Sequence, residues 1–141
     1  DKIYFKNSNQ LYYEGETSYG VPHGQGVMTL NNKRNEGTFF DGLFIRGFST
    51  QHFDNGDQYE GSFADGNPNG EGTYTFIDGS IYRGQFVAGK FHGYGIFTTP
   101  EGDHYSGDHK DGLKHGQGVY HYSNGDEYKG EFRKGQRNGQ G

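Results

Sequence analysis

Histidine is the side chain here with the widest chemical reach, and three of the seven recur at one spacing position. His23, His92 and His115 occupy equivalent places, with Asn69 and Asn138 standing at the same place elsewhere. A column of imidazoles suggests metal. If each unit contributes two strands, however, equivalent atoms lie about 10 Å apart. The ligands of one zinc ion must all lie within about 2.1 Å of it. The column is therefore expected to hydrogen-bond the glycine-rich turns, a task that Asn also performs, and no metal site is expected. Asp103, His104, Ser106, Asp108 and His109 invite comparison with a nucleophilic triad. On an extended strand His104, Ser106 and Asp108 share a face, yet nothing nearby supplies an oxyanion hole or a pocket that excludes water. Cysteine is absent, which excludes thiolate ligands, disulfides and a thiol nucleophile. Neither a Gly-x-Gly-x-x-Gly string nor a P-loop occurs. The expectation is a protein without catalytic residues, cofactor or metal.

Composition asks which elements could hold any site at all. The chain has 141 residues, of which 27 are Gly, 12 Tyr and 12 Phe, and a net charge of −5. The aliphatic residues with Met supply only about a tenth of it, too few for a conventional core. So many aromatics at so modest a charge argue against a disordered coil. An acidic balance disfavours nucleic acid and anionic membrane, neither of which gains from counterion release. No apolar run reaches membrane-spanning length and no segment reads as a leader.

Periodicity then dominates. Tyr59, Tyr82, Tyr105 and Tyr128 lie 23 residues apart, and Tyr13 lies two periods before Tyr59. The units read as 13–34, a degenerate 35–58, 59–81, 82–104, 105–127 and a truncated 128–141. Residues 1–12 read as a partial N-terminal repeat or cap with a strand around Tyr4 and Phe5. Asn35 stands where Tyr is expected, and the degenerate unit carries one extra residue, which predicts a bulge or irregular loop near Asn35 to Phe53.

Each unit predicts two short strands. In Tyr82-Arg83-Gly84-Gln85-Phe86 the aromatics and the glycine alternate onto one face, and Gly72-Thr73-Tyr74-Thr75-Phe76 does the same. Asn55-Gly56, Asp78-Gly79, Glu101-Gly102 and Asn124-Gly125 predict tight hairpin turns of the primed type. The other connection, Ala64 to Gly70, reads as a longer loop. A glycine within a strand leaves a space across which a ring of the adjacent strand can lie flat. The fold expected is all-β, an elongated single-layer antiparallel meander of 23-residue hairpins, each touching only its neighbours.

The pattern Tyr-x-Gly-x-Phe-x-x-Gly-x-x-His-Gly-x-Gly-x-Tyr-x-Tyr/Phe-x-x-Gly resembles the MORN repeat (membrane occupation and recognition nexus), over nearly all of Tyr13 to Gly141. The departures are Thr17 and His109 at the Phe position, and Lys33 where the turn glycine belongs. The resemblance implies a twisted sheet bent into a shallow trough. It also implies a scaffold in a cytoskeletal, ciliary or membrane-junction assembly, or a regulatory part of a larger enzyme. Some relatives bind phospholipid, which is the alternative reading.

On the residues themselves, Tyr59, Phe63, Tyr82, Phe86, Tyr105, Tyr128 and Phe132 are expected to be structural. Tyr74, Phe76, Phe97, Tyr120 and Tyr122, on the second strands, are expected to line a partner-binding trough. Lys129, Arg133, Lys134 and Arg137 form a local basic group that would suit an anionic partner. The expected partner is a helix or extended segment of another protein, with anionic phospholipid less favoured and nucleic acid not expected. Without a successor, the strand Tyr128 to Phe132 would leave an exposed edge for self-association. The expected location is cytoplasmic, with cytoskeletal or membrane association.

Overall fold

A computed structural model describes residues 2–6 and 11–138. They form thirteen strands: β1 Lys2–Lys6, β2 Leu11–Ser18, β3 Val21–Leu30, β4 Lys33–Phe40, β5 Leu43–His52, β6 Gln58–Ala64, β7 Asn67–Thr75, β8 Ile81–Val87, β9 Lys90–Thr98, β10 His104–Lys110, β11 Leu113–His121, β12 Glu127–Arg133 and β13 Gln136–Asn138. Every strand pairs with its sequence neighbour, antiparallel, in one open sheet ordered β1 to β13. The accessible surface of 8680 Å² exceeds the roughly 7300 Å² of a compact monomer of this length. The molecule is an extended single layer. Among the described residues no helix is long and apolar enough to cross a membrane.

The two kinds of turn are the reverse of the sequence expectation. The Ala64–Asn67 connection is the tight one, with Asp65 and Gly66 at φ 53° and 85°, a two-residue primed turn. Asn67–Thr75 is strand from its first residue, so the predicted long loop does not exist. Asp78-Gly79 instead belongs to a three-residue connection. Gly79 N–H donates to the Phe76 carbonyl and Phe76 N–H to that of Ser80. Here only the glycine is left-handed, at φ 95°.

What hid β7 is a bulge. Gly61 pairs with Gly72 but Phe63 pairs with Pro68, so Asn69, Gly70 and Glu71 face the single Ser62. Gly70 takes φ 97° there, a conformation that selects glycine. The same two-residue shift recurs in β2–β3, β8–β9 and β10–β11. The first glycine of the His/Asn-Gly-x-Gly strings at Gly24, Gly70, Gly93 and Gly116 is thus a bulge residue.

The degenerate unit departs differently from the single extra residue that its length suggests. Its bulge is one residue smaller, between Thr38 and Phe39, where the string lacks the left-handed glycine. Its strand β5 is two residues longer past Gly47. As a result Gly47 pairs with Phe63 and Ser49 with Gly61, offset by two from every other strand pair. An even offset keeps each side chain on its face; an odd one would turn the array inside out. The preceding unit is one residue short because Asn31 and Asn32 make a two-residue turn, so Lys33 need not be glycine.

Two glycine rows result, Gly15–Gly26–Gly37–Gly47 and Gly61–Gly72–Gly84–Gly95–Gly107–Gly118–Gly130. Tyr13, Tyr59, Tyr82 and Tyr105 each cover the glycine of their own strand and the one paired with it on the next strand, whereas the Gly37–Gly47 pair meets only backbone. A Cβ on Gly72 would lie 2.5 Å from the Tyr59 hydroxyl, and one on Gly61 would lie 2.4 Å from Gly72 Cα. That close approach buries Tyr13, Tyr59, Tyr82 and Tyr105 completely, in a sheet only one layer thick. Each ring then reaches a carbonyl: Tyr82 donates to Gln85 O at 2.8 Å and Tyr105 to Asp108 O at 2.8 Å. Those acceptors belong to the residues that have no partner across the bulge.

At the ends, β1 supplies the strand expected around Tyr4 and Phe5, paired to β2. The edge expected along Tyr128 to Phe132 is covered at its C-terminal end. Glu131, Phe132 and Arg133 pair with β13.

Candidate functional site

Strand register puts both sets of aromatics on one face. Tyr59, Tyr74, Tyr82, Phe97, Tyr105, Tyr120 and Tyr128 are successive cross-strand partners and form a single row. Burial separates most, not all, of the expected structural set from the others. Tyr59, Tyr82 and Tyr105 are 0% exposed, and Phe86 and Phe132 are buried. Phe63 and Tyr128, along with Tyr74, Phe76, Phe97, Tyr120 and Tyr122, are only partly covered. Burial pushes Tyr59, Tyr82 and Tyr105 up to about 12.

Two of the second-strand tyrosines are anchored. Tyr74 donates to Asp57 Oδ2 at 2.8 Å, and the Ile77 N–H donates to Asp57 Oδ1 at 2.9 Å. Tyr120 donates to Asp103 Oδ2 at 3.0 Å, and the Ser123 N–H to Asp103 Oδ1 at 2.7 Å. The Tyr74 hydroxyl, followed by the Ile77 amide, holds Asp57 below the usual carboxylate range. For Asp103 the Ser123 amide acts first. Burial, then the Asp partner, pushes Tyr74 and Tyr120 up to about 12. Ser80 occupies the position of these aspartates opposite Phe97, which has no hydroxyl to bind. Sequence reading missed the pairing because the partners are 17 residues apart, the aspartate just before one strand and the tyrosine on the next.

The remaining rings build an open recess of 230 Å³ lined by Tyr74, Phe76, Phe91 and Lys90 beside Gly89 and Gly112. Phe76 touches Tyr74, Phe91 and Phe97 at centroid distances of 4.8, 6.2 and 6.0 Å. Tyr120 and Tyr122 make a second pair at 4.6 Å. Larger recesses, of 570 and 450 Å³, lie on the opposite face along the glycine rows. Their floors are backbone already paired in the ladder. Of their acidic walls, Glu16 accepts the Gln25 N–H and Glu36 pairs with Arg34. The aromatic recess is the better binding surface, since its rings have apolar area still to bury.

A further column runs along the same face: Pro22, Phe44, Pro68, Phe91, Lys114 and Arg137, each opposite the Phe-position residue of its hairpin. Phe91 stacks on Tyr82 at 3.8 Å, nearly parallel. Lys114 Nζ lies 5.8 Å from the Tyr105 centroid and 5.6 Å from that of Tyr120. Arg137 Cζ lies 4.9 Å from the Tyr128 centroid. These residues differ in type, so periodicity gives them no signature. The carbonyls of Pro22, Pro68, Phe91 and Lys114 repeat nonetheless, accepting from a turn amide of the next unit, as Pro68 O does from Gly89 N–H at 2.9 Å, whereas in the offset unit Ile45 O, not Phe44 O, accepts from Asp65 N–H.

The basic group is divided between faces. Lys129 alternates with Tyr128 onto the opposite face, 3.5 Å from Glu127, whereas Arg137 stays with the rings. Arg133, Lys134 and Arg137 do share an open recess of 410 Å³ with Gln136. Among the histidines, His23 accepts the Asp41 N–H at 3.4 Å, and its ring lies 4.8 Å from Phe40. His104 stacks on His121 on the non-aromatic face. His109, at the Phe position, is buried between Tyr82 and Tyr105, and burial drives its pKa down to about 4.

No curated protein matches this chain closely enough to count as a relative. The sequence model of the MORN repeat matches residues 13–33, 59–81, 82–104, 105–127 and 128–141, passing over only the offset unit in between. With most of its length covered by that match, and with each matched segment opening on the Tyr-Gly strand described above, the chain belongs to the MORN-repeat family.

Proposed function

We propose that this MORN array acts by binding rather than by catalysis, holding a segment of another protein along its aromatic face. MORN repeats are binding modules for proteins or membrane lipids. The observation that carries the protein reading is the division within one aromatic row. Tyr59, Tyr82 and Tyr105 are fully used by the fold, while Phe76, in an apolar recess, and Phe97 and Tyr122, outside it, are only partly covered. Rigid aromatic rings of this kind lose little entropy on contact and serve as anchors. A scaffold in a cytoskeletal, ciliary or membrane-junction assembly is the setting that suits such a face.

Affinity capture with the array as bait tests this, run beside a Phe76→Ser/Tyr122→Ser bait. The expected result is a partner retained by the first and lost by the second. Equal retention would move the site elsewhere. The Arg133, Lys134 and Arg137 recess supports the second reading, an anionic lipid headgroup. Co-sedimentation with phosphatidylserine vesicles, expected to be weak at a net charge of −5, separates the two.

A further inference from the structure

The further column on the aromatic face changes character along the array. It is apolar through Pro22, Phe44, Pro68 and Phe91, then cationic at Lys114 and Arg137. Lys114 is partly buried, held over two tyrosine rings, and among the described residues it forms no ion pair. Arg137 likewise lies on a ring without a carboxylate partner among those residues. Asp103, on the same face, is committed to Tyr120 and the Ser123 amide. The carboxylates Glu14, Glu36 and Glu60 alternate with row positions and lie on the other face. The chain is acidic overall, yet this end of its aromatic face offers two uncompensated cations.

We infer that the partner segment is acidic at this end, placing one carboxylate on Lys114 and another on Arg137, with an apolar side chain in the recess beside Phe91. This rests on the protein-binding reading above. Burial lowers the pKa of Lys114, so an arriving carboxylate would recover charge stabilisation that water supplies poorly there. Phe91, Lys114 and Arg137 lie on alternate strands, β9, β11 and β13, so successive sites are about 10 Å apart. A polyproline II segment rises about 3.1 Å per residue and returns to one face every third residue, which matches that interval. Aromatic-lined grooves suit this conformation, because it is extended before it binds. The recognition pattern is therefore apolar-x-x-acidic-x-x-acidic.

Selection of a phage-displayed random 16-residue peptide library on the full chain tests this, beside a Lys114→Gln/Arg137→Gln variant. Far-UV circular dichroism must show the variant folded. The expected result is enrichment of paired Asp or Glu three residues apart on the native chain and its loss on the variant. A selected peptide with Glu→Gln should bind roughly ten- to hundred-fold more weakly. Enriched peptides that lack acidic pairs, yet need Phe76 and Tyr122, would overturn the acidic pattern and leave the aromatic site standing. No peptide dependent on those rings would overturn both. Phosphatidylserine vesicles that need Lys114 and Arg137, with no acidic peptide enriched, would overturn it in favour of lipid.

Discussion

At the residue scale, each regular repeat turns on a tyrosine, whose place Asn35 takes in the degenerate unit. The tyrosine ring covers a glycine pair and its hydroxyl satisfies a carbonyl that the bulge removes from the ladder. Tyr82→Phe should keep the ring packing but strand the Gln85 carbonyl, with a loss of about 1 kcal/mol. A chemical denaturation midpoint will show it; an unchanged midpoint would mean that water already serves that carbonyl. His109 offers a pH test. Its Nδ1 has no hydrogen-bond partner among the described residues, and its folded pKa of about 4 lies below the ordinary 6.5. The unfolded chain therefore takes up a proton first as pH falls. Stability from this residue is complete above pH 6.5, is lost progressively toward pH 4, and amounts to at most about 3 kcal/mol. His109→Phe restores the repeat pattern and should flatten the melting temperature between pH 6.5 and pH 4.5 relative to the native chain. Parallel curves for the two would refute it.

At the element scale, the hairpins show what the sequence could and could not reveal. The 23-residue period and the alternation of Tyr82, Gly84 and Phe86 made the first strand of each unit legible. The second strand was legible only from its later half, because its bulged first half, Asn67 to Gly70, is made of Asn, Pro and Gly, the residues of a loop. Asp65-Gly66 and Asp78-Gly79 are identical dipeptides, so composition could not tell the two-residue turn from the three-residue one. Within the site, Phe76 and Tyr122 were legible as aromatics of the second strand. Lys114 and the Asp57–Tyr74 pair were not, since a column of mixed residue types and a contact between residues 17 apart, absent where Phe97 replaces the tyrosine, leave no periodic trace. The two structural uses of glycine should separate on mutation. Gly72→Ala would press a methyl group against Tyr59 and should cost more than about 3 kcal/mol. Gly112→Ala meets nothing within 4 Å and carries only the strain of φ 89°, roughly 1 kcal/mol. Thermal melts rank the pair, and the opposite order would refute the close-approach account.

At the scale of the whole molecule, the array is one sheet whose two faces have different duties. Glycine rows let the aromatic face bury its own tyrosines without a second layer, and the even offset at β5 and β6 carries that face past the degenerate unit unbroken. Rings left over from this packing, with two cations at one end, make the surface proposed to hold a partner. The most direct test is a side-chain NMR titration of the labelled chain with a selected acidic peptide. Phe76, Phe97 and Tyr122 report on the aromatic face, and Ile96 and Val119, which alternate onto the other face, report on that one. Saturable shifts confined to the first group are expected. Shifts confined to Ile96 and Val119 would place the partner on the glycine side and contradict the account.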